Sequence, residues 1–109
     1  MVNRAQLGLI EPVIIMGRKV MARIDTGAER SSIHDELAVE LGIKLSGETQ
    51  KIRSANGLTK RPLANVVIEM GNQVIKTQIT VYDRSKMKYL LLIGHDVLKQ
   101  GNFLIDPLK

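Results

Sequence analysis

Ile24-Asp25-Thr26-Gly27-Ala28 decides how this chain is read. An acid, a small hydroxylated residue and two tiny residues close an apolar-polar alternation. Val20, Ala22 and Ile24 fall on one face of a strand, and Met21, Arg23 and Asp25 on the other. Gly27 and Ala28 leave the backbone open to close approach by another chain. The product is a carboxylate on a strand-to-loop bend with peptide N–H and C=O groups beside it. Taken alone, these residues describe an Asx-type turn with glycine at the bend, common in β proteins. The rest of the chain shifts that reading.

With 109 residues the chain is expected to form one domain, 1–109, large enough for a modest core. Aromatic residues make up 3% of it, so the core must be built from Ile, Val, Leu and Met. No apolar run approaches the roughly 20 residues that span a bilayer, and no charged-then-apolar N-terminal pattern of a secretion signal is seen. With no Cys there are no disulfides and no thiolate chemistry, which agrees with a cytoplasmic location. The net charge of +5 suggests an acidic partner, nucleic acid or acidic peptide, or simply a soluble basic surface.

Val13 to Met16 and Lys19 to Ile24 read as strands joined at Gly17-Arg18. Ser32-Ile33 is short and extended, and Asp35 reads as the N-cap of a helix over Glu36 to Leu41 stopped by Gly42. Lys51 to Ser54 and Leu58 to Glu69 flank Asn56-Gly57, a hairpin turn signal, and Pro62 marks the second arm as an edge or a projection. Val74 to Tyr82 alternates as a strand, and Asp83 to Lys88 is a charged loop. Tyr89 to Ile93 is a continuous apolar run, as in a strand buried on both faces. Gly94 ends it, a short helix runs to Gln100, Gly101 stops that helix, and Phe103 to Ile105 is a last strand.

In order and spacing these features resemble the retropepsin-like aspartic proteases. The marks are Asp25-Thr26-Gly27-Ala28, the hairpin around Asn56-Gly57, and Leu92-Ile93-Gly94 leading into His95-Asp96-Val97-Leu98. The resemblance is closer to the small retropepsin-like family labelled ATP-dependent zinc proteases. It is carried by Ser31-Ser32-Ile33-His34, Arg61-Pro62, Asp83-Arg84, Met87-Lys88-Tyr89 and Gly101 to Pro107. One departure is His95, where both groups usually carry Arg. The label itself finds no support in the residues. There is no Gly-rich phosphate loop and no His-Glu-x-x-His. His34 and His95, each followed by Asp at a helix start, fit capping and packing better than metal ligation. No metal and no cofactor is expected.

The resemblance implies an all-β, closed, barrel-like fold with one or two short helices. It also implies a homodimer in which Asp25 of each copy meets on a two-fold axis, because the chemistry needs two carboxylates sharing a proton. Asp25, Thr26 and Gly27 become the catalytic residues, with Thr26 supporting the paired loops. Ala28, with Ser54, Ala55, Asn56 and Gly57 of the hairpin, becomes the substrate-binding set, the hairpin closing over an extended peptide. Gly94 would let its strand cross close behind the catalytic loop. Lys51, Arg53, Lys60 and Arg61 make the hairpin basic, and Arg23 and Arg30 flank the catalytic loop. They point either to a preference for acidic, Glu-rich peptides or to a solvated hairpin that resists edge pairing. The alternative function is a catalytically silent binding or dimerisation module, since only Ile52 and Leu58 lie near the tip where many pepsins carry a bulky aromatic. A nucleic-acid module ranks below both, for want of aromatics and of a groove-reading helix.

Overall fold

A computed structural model of the chain describes residues 4–55 and 57–109. Eleven elements occur in order: β1 (Gln6–Leu7), β2 (Ile10–Ile15), β3 (Arg18–Ile24), β4 (Ser32–His34), α1 (Asp35–Glu40), β5 (Leu45–Ser54), β6 (Gly57–Met70), β7 (Gln73–Tyr82), β8 (Leu91–Ile93), α2 (His95–Gly101) and β9 (Leu104–Ile105). Seven strands form one sheet in the order β2-β3-β8-β4-β7-β6-β5. A further pairing of Ile14 with Glu69 and Ile15 with Ile68 brings β2 back to β6. The ring is thereby closed, leaving β5 outside it on β6, and the all-β expectation with two short helices holds.

The ring is filled by aliphatic side chains because the sequence offers little else. Val13, Ile15, Ile33, Ile68, Ile79 and Leu91 are among its fully buried residues. Strand β3 shows the alternation read from the sequence: Ala22 and Ile24 are buried, whereas Met21 and Arg23 are exposed. In β8, Leu91 and Ile93 are buried and Leu92 half-buried, between β3 on one side and β4 on the other.

Three local expectations shift by a residue. The first hairpin turns on Met16-Gly17, with Ile15 paired to Arg18, not on Gly17-Arg18. Both turn residues have positive φ, 50° and 83°, as the twist of a two-residue hairpin requires. Asp35 is the first residue of α1, not its cap, because His34 is still held in β4 opposite Tyr82. In α2 the left-handed terminal residue is Asn102, φ 55°. Gly101 is the last residue of the helix, and glycine stands there because a Cβ would fall on the Phe103 ring.

The hairpin of β5 and β6 is the one long projection. Ser54 pairs with Gly57 at its end, and from Gly57 to Pro62 the β6 arm pairs with β5 alone. Pairing with β7 begins only at Leu63, so Pro62 sits where its missing N–H costs no ladder bond. Beyond it β6 is central, flanked by β7, β5 and β2. The expected turn residue Asn56 lies outside the described residues. At the base, the Arg61 guanidinium stacks on the Tyr82 ring, 3.7 Å from its centroid.

The termini pair with each other: Gln6 opposes Leu104 and Leu7 opposes Ile105 in a parallel two-stranded sheet. Lys109 Nζ donates to Gln6 O at 2.7 Å and to Glu11 Oε1 at 3.1 Å. The C-terminal segment thus packs against the N-terminal strand of its own chain. Among the described residues no helix is long and apolar enough to cross a membrane.

Candidate active site

Strand β3 delivers Asp25 to the mouth of the ring. The Asp25 N–H donates to Ile93 O at 2.9 Å, one step beyond the parallel pairing of Ile24 with Ile93. The chain then turns sharply. Ala28 N–H donates to Asp25 O at 3.2 Å, and Gly27 N–H donates to the Asp25 carboxylate Oδ1 at 2.9 Å. The Asx-type turn and the catalytic-loop reading are therefore one geometry: the turn fixes the carboxylate's rotamer while one oxygen accepts a backbone N–H. Asp25 is half-buried, and Thr26 and Gly27 are exposed.

Behind this loop runs the start of α2. His95 N–H donates to Ala28 O at 2.8 Å. A Cβ on Gly94 would lie 2.6 Å from Ala28 O and 3.2 Å from the Arg30 carbonyl carbon, both backbone atoms. The close crossing expected of Gly94 is present, and its cause is steric, since its φ of −112° is open to any residue. Gly94→Ala must push the Asp25 loop outward. It is expected to destabilise the fold by about 1–3 kcal/mol and to lower any peptidase activity, checked by urea unfolding alongside peptide hydrolysis.

Side-chain bracing comes from a pair the sequence reading did not single out. The Asp96 carboxylate accepts Ser31 N–H at 2.9 Å and Ser31 Oγ–H at 2.7 Å, while Ser31 Oγ accepts Gly94 N–H at 2.9 Å. Asp96 Oδ1 also accepts Val97 N–H at 2.9 Å. Ser31 is fully buried, so the network joins loop, glycine crossing and helix in one unit. Among the described residues His95 makes no ion pair, so at the position where Arg is usual the bracing falls to Asp96. An Asp two residues after a strand-ending Gly was the available signal.

The loop and the hairpin face each other across a cleft of about 560 Å³. Gly27, Ala28 and Arg30 form one wall, and Lys51, Ile52 and Arg53 the other. Gln50 Oε1 in this wall is buried without a hydrogen-bond partner. Of the substrate-binding residues read from the sequence, Ala28 lines the cleft. Ala55 and Gly57 are exposed at the hairpin end, Ser54 pairs with Gly57, and Asn56 lies outside the described residues.

Ligand atoms of His34, Asp35 and Asp83 lie within 4.8 Å of one another, a grouping the sequence reading did not anticipate. His34 Nδ1 accepts Arg84 N–H at 2.9 Å, so that ring nitrogen is occupied. The Ser85 side chain and backbone hold the Asp83 carboxyl below its ordinary range.

A sequence model of the gag-polyprotein putative aspartyl protease family matches residues 12–100. The chain belongs to the retropepsin-like aspartyl protease family. No curated protein sequence matches it. Among solved structures it is similar to Lpg0085 of Legionella pneumophila, a DUF785 protein of unknown function, at TM-score 0.73 and 21% identity, over 98% of this chain and 96% of that one. It is also similar to EIAV protease complexed with the inhibitor HBY-793, at TM-score 0.66 and 21% identity, over 92% and 93% of the two chains. At such identity the likeness concerns the fold. A retropepsin-like fold agrees with the closed ring, the projecting hairpin and the single Asp25 loop described above.

Proposed function

We propose that residues 1–109 form one domain that acts as half of a homodimeric aspartic endopeptidase. The observation that carries this is the Asp25 loop: a half-buried carboxylate, fixed by Gly27 N–H and pinned from behind by Gly94 and Asp96, on a loop whose Gly27 and Ala28 line a cleft of about 560 Å³. The chain holds one such loop, and the reaction needs two carboxylates. Asp25 from two copies, about 3 Å apart, would share one proton because both cannot ionise. The ionised carboxylate takes a proton from water as the water oxygen attacks the scissile carbonyl carbon. The protonated one donates its proton to the carbonyl oxygen. The proton taken from water then passes to the amide nitrogen while a gem-diol hydroxyl returns a proton to the other carboxylate, which breaks the C–N bond and restores the singly protonated dyad. Thr26 and Gly27, both exposed, would meet their counterparts in the partner. The Gly27 and Ala28 backbone, with the hairpin above it, would take the peptide as an added strand.

Arg30, Lys51, Arg53 and Arg61 outweigh the one acid, Glu29, among the described residues of the cleft walls, which supports a preference for acidic peptides. The silent-module reading draws on one feature, the absence of an aromatic side chain between Lys51 and Lys60. Incubation with a mixed peptide library, Glu-rich members included, tests the choice across acid to neutral pH. Cleavage that falls off on dilution, as a dimer dissociates, is expected. A stable dimer that cuts nothing at any pH overturns the peptidase reading in favour of the binding module.

A further inference from the structure

We infer that a second, smaller cleft beside Asp25 recognises an acidic side chain of the substrate, and that buried Arg84 is the residue that selects it. The cleft, about 240 Å³, is lined by Asp25, Arg23, Arg84, Lys88, Tyr89 and Leu92, among others. For the cleavage step the inference rests on the peptidase reading, but its own ground is the state of Arg84.

Arg84 stands in what the sequence marked as a charged surface loop, yet it is 3% exposed. A guanidinium keeps its charge under all ordinary conditions, and a buried charge is normally paired with an opposite one. Among the described residues Arg84 has no carboxylate partner. Its Nε and Nη2 fork onto Tyr89 O at 3.2 and 3.0 Å. Its Nη1 donates to Tyr82 Oη at 2.9 Å and, weakly, to Ser32 Oγ at 3.4 Å. All of these acceptors are neutral, and of the five N–H groups of an arginine one on Nη2 is left over. The side chain is therefore held rigidly by neutral dipoles and lies over the Tyr82 ring, 5.6 Å from its centroid, while its charge meets no opposite charge among the described residues. The nearest acid in sequence, Asp83, is turned to solvent and accepts Ser85 N–H instead.

The other cations of the cleft, Arg23 and Lys88, are both exposed at its rim, and among the described residues Asp25 is the only carboxylate in its lining. Three positive groups against one negative group, in a concavity that reaches the reacting carboxylate, form a receptor for a carboxylate. Because Asp25 lines the same cleft, the residue received adjoins the scissile bond. Burial matters here: a preorganised charge that has already lost its water gives up little more when it meets the substrate.

Three blocked peptides, N-acetylated and C-amidated, identical except for Glu, Gln or Leu at the position flanking the scissile bond, test the inference. kcat/KM is read on the intact protein, and binding on its Asp25→Asn variant. The Glu peptide is expected to exceed the Gln peptide by about tenfold or more. Arg84→Met should bring the two together, with the Leu peptide kept. A ratio taken within one preparation is insensitive to its folded fraction. Should Arg84→Met not fold, Lys88→Glu at the rim must still lower the Glu-to-Gln ratio severalfold. Equal handling of Glu and Gln by a protein that cleaves overturns the pocket and leaves the peptidase standing. Arg84-dependent binding of Glu over Gln without any cleavage does the reverse. The same three peptides with a free C-terminus are run beside them, and a preference that appears only in that set assigns the cleft to the terminus and also overturns the inference.

Discussion

Asp25→Asn should lower kcat for peptide hydrolysis by about 10³-fold or more, the scale of a lost general acid–base group, and leave the fold intact. The expectation of an unchanged fold comes from the turn. Asn keeps an oxygen that can accept Gly27 N–H, now made at 2.9 Å to Asp25 Oδ1. The backbone bonds from Asp25 N–H to Ile93 O and from Ala28 N–H to Asp25 O do not involve the side chain. What the substitution removes is the ability to hold or release a proton, and in a homodimer it removes it from both halves of the dyad. The loss should therefore hold across the whole pH range and not merely displace the optimum. Hydrolysis of a cleaved library peptide, read with circular dichroism and sedimentation, checks it. Parental cleavage by the mutant would assign the activity to another centre or to a contaminant.

The elements that could be read from the chain are those whose signal is local. The alternation of Val20, Ala22 and Ile24 against Met21, Arg23 and Asp25 gave both faces of β3 because side-chain direction there depends only on parity. The apolar run Tyr89 to Ile93 announced a strand because no polar residue interrupts it, although only Leu91–Ile93 forms one, Leu92 is half-buried and Leu90 is exposed. What was not legible is non-local. Closure of the ring depends on Ile14 and Ile15 meeting Ile68 and Glu69, and nothing near either segment encodes that meeting. Arg84 illustrates the limit most sharply. Its neighbours Asp83, Ser85, Lys86 and Lys88 describe a solvated loop, and composition cannot show that the loop folds this one guanidinium inward onto Tyr82 and Tyr89. The same holds for Ser31 and Asp96, 65 positions apart. Each is an ordinary polar residue until the strand crossing at Gly94 brings them together. The misplaced first turn has a different cause: the glycine cue was right, but the second positive φ fell on Met16, a residue that rarely adopts one.

Asp96→Ala should cost about 3 kcal/mol, because one carboxylate there serves three donors and hydrogen bonds to charged groups contribute about 1.5–3 kcal/mol each without adding fully. For a domain of this size that is a fall in Tm of roughly 12–24 °C. The loss is one-sided. Ser31 is fully buried, so its N–H and hydroxyl would be left without an acceptor where water cannot easily reach them. Ser31 Oγ would keep its bond from Gly94 N–H, but nothing would then orient it, and Gly94 is the contact that holds Ala28 and hence the Asp25 turn. Activity should therefore fall more than the loss of folded protein explains, since the effect reaches the carboxylate through the loop it sits on. Asp96→Asn separates the two contributions. It retains an Oδ1 that can accept Ser31 N–H, Ser31 Oγ–H and Val97 N–H, and loses the charge and the 3.1 Å branch from Ser31 N–H to Oδ2, so it should recover more than half the stability. Thermal unfolding and hydrolysis measured on the same preparations decide the matter. A fall below about 1 kcal/mol in Asp96→Ala, within the range of an ordinary single hydrogen bond, would mean that the backbone bond from His95 N–H to Ala28 O holds the loop without Asp96.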